Sequence, residues 1–401
     1  MRYRTVPKNG DKLSILGFGA MRLPLNEDQS INEAAAIAQM RKAIDAGVNY
    51  LDTAWPYHNG KSELVLGKAL KEGYREKVKI ADKLPVWMCD NRRDMESILD
   101  RQLEKLGVET IDYYLLHALE GESWDRIKAL GVIPFLEDAR AAGKVTNLGF
   151  SFHGTNEDFN RIVDAYGWTF CQIQYNFLDT QNQAGTAGLK YAASKDMAVI
   201  IMEPLRGGNL SRPEAPPRIQ ALWDTAEIRR TPVEWALRWV WNVPEVTVVL
   251  SGMNRNEHIE QNLAIAEQAE AGSLTDAELT LIDQVADKYR ELMPVGCTGC
   301  QYCMPCPAGV NIPGCFEYYN SGKMFEEPQA MTQFRYAVFN GFVSGKQTQA
   351  SLCVECGECL ERCPQHIDIP ERLKDVADYC ETEGIGEIVK QFMAGDQSHS
   401  S

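Results

Sequence analysis

Two runs near the C-terminal end of this 401-residue chain concentrate reactive side chains: CTGCQYCMPCP, from Cys297 to Pro307, and CVECGECLERCP, from Cys353 to Pro364. They hold eight of the twelve cysteines, at Cys297, Cys300, Cys303, Cys306, Cys353, Cys356, Cys359 and Cys363. Thiols packed this closely are metal ligands or disulfides. The opening MRYRTVPKNGDKLS has no apolar h-region, so no secretory signal is expected, and the thiols of a cytoplasmic chain stay reduced. Metal ligation is the better reading.

Tetrathiolate zinc needs two Cys-x-x-Cys pairs per ion, and eight cysteines would make two such sites. Zinc ribbons, however, do not call for a triple Cys-x-x-Cys run ending in Cys-Pro. Cys353, Cys356, Cys359 and Cys363 follow the bacterial ferredoxin spacing C-x2-C-x2-C-x3-C-P, in which the fourth cysteine serves the other cluster. The first run is one residue shorter before its last cysteine. Crossing the fourth ligands gives one 4Fe–4S cluster on Cys297, Cys300, Cys303 and Cys363, and a second on Cys353, Cys356, Cys359 and Cys306. Cys315 is the nearest competitor to Cys306, but it lacks the following proline. Cys89, Cys171, Cys315 and Cys380 read as packing thiols. The insertion MTQFRYAVFNGFVSG reads as helical and resembles the helical dicluster ferredoxins.

A second set of polar residues lies upstream. Asp52 follows VNYL, Lys83 follows VKIAD, His117 follows IDYYLL, and Tyr57 stands five residues after Asp52. Singly, such residues are usually a helix cap, a solvated charge or a satisfied core histidine. Together they suit carbonyl reduction. Hydride delivery leaves an alkoxide that a positioned acid must protonate. A phenol, with reference pKa about 10, needs a neighbouring cation to favour its phenolate. Lys83 can supply that cation, Asp52 can hold the ammonium, and His117 can donate to the carbonyl oxygen.

The elements that must position these groups alternate between short apolar runs and longer amphipathic ones. LSILGFGAM, VNYLDTA, VKIADKL, IDYYLLHA, VTNLGFSF, FCQIQYNF, MAVIIMEPL and VTVVLSGM read as strands. Helices are predicted between them, among them NEAAAIAQMRKAIDAG, SELVLGKALKEG, DMESILDRQLEKLG and VIPFLEDARAAG, several starting at Asn, Ser or Asp and stopping at Gly. Eight strand–helix units over about 260 residues suit a (β/α)8 TIM barrel. A doubly wound sheet shares the alternation, but no Gly-x-Gly-x-x-Gly follows the first strand. The expected organisation is α/β: a barrel over 1–290, a small, mostly helical dicluster domain over 291–393 with helices around 316–345 and 370–393, and a disordered polar tail, 394–401.

The motifs LGFGAMRLP, LDTAWPYHNGKSE, KIADKLP, DYYLLH and LGFSFH together resemble the aldo/keto reductases, over roughly the first two-thirds of the chain. The resemblance implies that Tyr57 is the general acid–base, with Asp52, Lys83 and His117 completing a tetrad. It implies nicotinamide-amide contacts at Ser151 and Gln172, Met202 at the ring, and nucleotide contacts within Leu250–Asn262, at Ser251, Gly252, Arg255, His258 and Asn262. The chain departs from the family pattern at five positions. Phe152 stands for an asparagine, Met202 for an aromatic residue, and Asp82 for a small hydroxyl residue. Gly252 and His258 stand for the basic residues that hold a 2′-phosphate. NADPH and NADH therefore both remain open. A flavin between hydride and single-electron chemistry is compatible with the altered pocket, though no flavin fingerprint supports it.

Composition narrows the partners. A net charge of −15 disfavours nucleic acid and anionic membranes. The most apolar window, WALRWVWNVPEVTVVLSG, carries Arg238, Pro244 and Glu245, so no membrane span is expected. Three functions remain: a reductase of a small carbonyl or alcohol with electron-transferring clusters; an electron-transfer module docking a redox partner protein, with the barrel as scaffold; and a reductase with purely structural clusters. The complete tetrad favours the first over the second. Nothing in the sequence separates the first from the third.

Overall fold

A computed structural model describes residues 1–338, 340 and 347–381. The expected tail, the far end of the 370–393 helix and part of the insertion up to 345 lie outside the described residues. Two compact units divide the chain: Met1–Leu205 with Val233–Asp276, and Arg206–Pro232 with Ala277–Ser401. Among the described residues no helix is long and apolar enough to cross a membrane.

In the first unit a hairpin of β1 (Tyr3–Thr5) and β2 (Lys12–Ser14) precedes eight parallel strands. These are β3 (Leu16–Gly19), β4 (Tyr50–Asp52), β5 (Lys79–Leu84) and β6 (Ile111–Leu119), then β7 (Val145–Phe152), β8 (Phe170–Gln174), β9 (Ala198–Met202) and β10 (Val246–Ser251). They pair in chain order, and β10 closes on β3. Each of the eight apolar runs supplies one barrel strand.

Strand alternation sorts the side chains into two cores. Tyr50, Ala81, Tyr113, Leu115, Phe170 and Ile200 fill the barrel interior, joined by Val6 and Leu13 from the hairpin segment. Leu51, Ile80, Leu84, Tyr114 and Leu116 face outward, under the helices. Gly149 makes room for an inner ring: a Cβ there would stand 2.6 Å from Phe170.

The helix ends differ in detail from the sequence reading. The third helix runs Arg92–Leu106, starting earlier than Asp94 because Asn91 is its cap and Asp94 completes the capping box. It stops at Gly107, in the left-handed region at φ 66°. Helix Ser62–Ala69 is preceded by Lys61, without a side-chain cap. Ser62 instead bonds Thr53 Oγ1 at 2.9 Å and donates to the Ala20 carbonyl at 3.1 Å. That tether fixes the end of the loop carrying Tyr57.

The second unit is small. Helices Ile312–Met324, Gln329–Ala337 and Ile369–Cys380 bury Ile312, Phe316, Tyr336, Leu373 and Val376. It also includes the segment after β9 and most of helix Asp276–Leu292. Arg206 donates to the Gly296 carbonyl at 3.1 Å, and Asn209 to the Cys297 carbonyl at 3.2 Å. The buried amide of Asn320 holds both backbone groups of Val295, at 3.0 and 2.7 Å.

Candidate active site and cluster cavities

Alternation that puts Ala81 inside the barrel puts Lys83 there too, one step nearer the C-terminal mouth. The same step along β4 and β6 adds Asp52 and His117. All three are at most 3 % exposed. Lys83 Nζ donates to Asp52 Oδ1 at 2.6 Å, to the Thr53 carbonyl at 2.8 Å and to Tyr57 Oη at 3.3 Å. All three ammonium donors are thereby directed. The Tyr57 and His117 rings stand edge to face, centroids 6.1 Å apart. The structure brings the four sequence-predicted residues together.

Their electrostatics follow from burial. Desolvation pushes the Tyr57 phenol well above its ordinary range, and Asp52, Asp82 and Glu203 add to it. Desolvation also raises Asp52, against the pull of Lys83. The His117 imidazole is held well below its ordinary range by burial, then by Lys83 and His153. His117 is therefore a neutral ring, able to donate without titrating near neutrality.

Ser151 and Gln172 are register partners on β7 and β8. Gln172 Oε1 is buried and accepts no hydrogen bond, an orphaned acceptor that suits a carboxamide N–H. Ser151 Oγ accepts the Ala118 N–H at 2.7 Å, holding a non-glycine residue at φ 53° beside His117. Met202 Sδ lies 3.9 Å from Gln172 Nε2. Asn262 donates to Ser251 Oγ at 2.9 Å, and Arg255 is the exposed residue preceding helix Asn256–Gln268. Partial desolvation and the Arg255 charge lower the His258 pKa, so this imidazole contributes little positive charge near neutral pH. These residues fit a nicotinamide nucleotide.

Two neighbours escaped the sequence reading. Trp87 packs 5.1 Å from the His117 ring and is 48 % exposed, and it lies in the uncoded loop PVWMCDNRRD. Arg22 lies alongside Gly252: a Cβ there would meet the Arg22 Cβ at 3.2 Å. Its position after the first barrel strand was the available signal.

In the second unit the thiols surround two cavities. Cys297, Cys300, Cys303 and Cys363 line one, with Phe316, Pro364 and Ile369. Cys306, Cys353, Cys356 and Cys359 line the other, where Cys303 also reaches. This donor set, four thiols at one cavity and five at the other with Cys303 shared, fits two cubanes and agrees with the crossed-ligand pairing. Among the described residues no three His, Cys, Asp or Glu side chains are placed to hold a single metal ion. Cys315 lies in the core against Tyr336 Oη, 3.5 Å away, and burial pushes its thiol up to about 12.

A closed parallel barrel with this buried site, joined to a chain segment with two thiol-lined cavities, defines an oxidoreductase with metal clusters. Residues 15–287, more than half of the chain, match the aldo/keto reductase family, and the chain belongs to that family. Residues 296–367 match a 4Fe-4S dicluster domain. Among curated proteins the chain is 26 % identical over 317 residues to L-galactose dehydrogenase of Arabidopsis thaliana, covering 72 % of this chain and 95 % of that one. It is 25 % identical to probable aldo-keto reductase 1 of Glycine max, covering 63 % and 81 %. Among solved structures the holo form of aldo-keto reductase AKR11C1 from Bacillus halodurans superposes with TM-score 0.59 at 24 % identity, over 71 % of this chain and 96 % of that one. An aldo-keto reductase from Klebsiella pneumoniae in complex with NADPH gives 0.57 at 21 % identity, over 71 % and 95 %. The chain is an NAD(P)H-dependent iron–sulfur oxidoreductase whose cofactors are a nicotinamide nucleotide and 4Fe–4S clusters.

Proposed function

We propose that the barrel interconverts a small carbonyl and its alcohol, with Tyr57 as the general acid–base. The observation that carries this reading is the Lys83 ammonium, held by Asp52 at 2.6 Å and directed at Tyr57 Oη at 3.3 Å. When bound, the nicotinamide supplies or accepts a hydride and the clusters pass single electrons. The chain's own groups do the rest. Tyr57 Oη gives its proton to the nascent alkoxide, and Lys83 stabilises the phenolate left behind. Asp52 holds Lys83, and the neutral His117 donates to the substrate oxygen while it gathers charge. Trp87, exposed beside His117, forms an apolar wall for the substrate.

Ser151, Gln172 and Met202 are assigned to the nicotinamide ring, and Ser251, Gly252, Arg255, His258 and Asn262, with Arg22, to the remaining nucleotide. Cys297, Cys300, Cys303 and Cys363 are assigned to one cluster, and Cys306, Cys353, Cys356 and Cys359 to the other. Cys356 is exposed, and so is Val354 at 69 %. That accessible edge favours electron exchange with a redox partner protein over a purely structural role.

The test is Tyr57→Phe, which removes one proton and keeps the ring. Carbonyl reduction is expected to fall by about 10² to 10⁴ while nucleotide affinity holds. Unchanged turnover would place the chemistry elsewhere.

A further inference from the structure

Asp82, the departure next to Lys83, points the other way from it, into the layer between β5 and the helices. There it meets Glu63 of helix Ser62–Ala69. Both residues are wholly buried, and the Glu63 carboxyl, after desolvation, raises the Asp82 pKa through its charge and a side-chain hydrogen bond. Burial and the neighbouring carboxyl both favour the protonated form of Asp82. Glu63 already has charged and neutral donors: Lys105 Nζ at 2.7 Å and Gln102 Nε2 at 3.2 Å. Asp82 Oδ1 accepts the Lys83 N–H at 2.8 Å, whereas Asp82 Oδ2 is buried without a donor. Asp82 Oδ2 is therefore the oxygen suited to carry the proton. The Gln102 amide also donates to the Lys83 carbonyl at 3.0 Å, and its own oxygen accepts from Tyr114 Oη at 2.8 Å. One network thus grips both the N–H and the carbonyl of Lys83.

The geometry points to Asp82 and Glu63 as a proton-sharing pair that positions Lys83, whose loss of that proton to solvent at alkaline pH switches carbonyl reduction off. This rests on the catalytic reading of Lys83 and Tyr57. Groups on every packed element face the pair. Lys105 balances Glu63 from helix Arg92–Leu106, and Lys83 opposes ionisation-driven repulsion from the strand itself. Tyr114 on β6 feels both carboxyls and Cys89. Tyr57 feels Asp82 together with Asp52. With the proton gone, a further negative charge acts on Tyr57, and the repelling carboxylates pull the network off Lys83.

The test uses the full chain with its clusters assembled. Infrared spectra are recorded across pH for the carbonyl stretch of a protonated carboxylic acid, beside the pH profile of reduction. The band is expected to be present at neutral pH and to disappear along the alkaline limb. Asp82→Asn mimics the protonated acid, with an oxygen for Lys83 N–H and an amide for Glu63. It should lack the band, and its alkaline limb should move up by about one pH unit or more. Asp82→Ala, unable to bond either partner, should lose turnover at every pH. Absence of the band in the native protein at neutral pH overturns the proposal, as do superimposable limbs for the native protein and Asp82→Asn. Should Asp82→Asn fold poorly, loss of the same band in Glu63→Gln serves, and its persistence there counts against the pair. The band is read without turnover, so an active Tyr57→Phe overturns the catalytic reading and leaves the shared proton standing.

Discussion

Lys83 makes its three hydrogen bonds inside the barrel, to Asp52, Thr53 and Tyr57, and this directs the protonation behaviour of the site. Burial keeps the Tyr57 phenol protonated and the His117 ring neutral. A raised phenol pKa keeps the proton donor available as pH rises, and a lowered imidazole pKa removes histidine titration from the neutral range. Reduction should therefore be level between about pH 6 and 8, while alcohol oxidation, which needs the phenolate, climbs with pH. Steady-state rates in both directions check this, and a fall in reduction with a midpoint near the ordinary histidine pKa would count against a neutral His117. At the nucleotide end, Arg255 is the arginine of the Leu250–Asn262 segment able to meet a 2′-phosphate, since Gly252 has no side chain and the His258 pKa is lowered. NADPH should be preferred over NADH by no more than about tenfold, or about 1.4 kcal/mol. Titration with both nucleotides should show the preference shrinking in Arg255→Ala; a hundredfold preference surviving that change contradicts the reading. The clustering of Asp52, Lys83 and His117 was legible in sequence because strand ends mark a barrel's mouth, and Tyr57 joined them from the loop after Asp52 and through the family resemblance. Trp87, Arg22 and the Asp82–Glu63 contact were not, because each depends on a partner distant in the chain.

At the scale of elements, the eight barrel strands were legible because each is buried on both faces and so reads as a continuous apolar run. The β1–β2 hairpin was missed. Its strands have three residues each, too few to show a period. Helix starts shifted where a side chain had a better use than capping, as Ser62 does between Thr53 and Ala20. The segment after β9 carries no recognisable code, yet within the second unit it holds the backbone ahead of Cys300. Gly207 lies at φ 66°, and a Cβ there would come 1.8 Å from the Thr298 carbonyl. Alanine at this position meets both strain and a clash. Anaerobically assembled native protein should hold about eight iron and eight sulfide per chain. Gly207→Ala should keep about half of each, losing the cluster of Cys297, Cys300, Cys303 and Cys363. Iron and sulfide analysis decides it, and full loading of the variant contradicts the assignment of this segment as a clamp.

For the whole molecule, one chain combines an aldo/keto reductase barrel, where a nicotinamide moves two electrons as a hydride, with a dicluster domain whose cysteines are suited to holding clusters that pass electrons singly. The grouping of the cysteines was readable from spacing to the extent that Cys363 lines a cavity with the first run and Cys306 a cavity with the second, as crossed fourth ligands would require. The substrate was not readable, since the loops that choose it follow no periodic rule. The central claim, that the Tyr57 site carries out carbonyl–alcohol chemistry, is tested most directly by isotope transfer. Cluster-loaded protein is given nicotinamide nucleotide deuterated at the transferable position, together with a panel of aldehydes and ketones, and the products are read by mass spectrometry. One deuterium on the carbinol carbon, lost in Tyr57→Phe, is the predicted result. Bound nucleotide and reduced clusters with no deuterium in any product would contradict it and leave the barrel a scaffold for electron transfer.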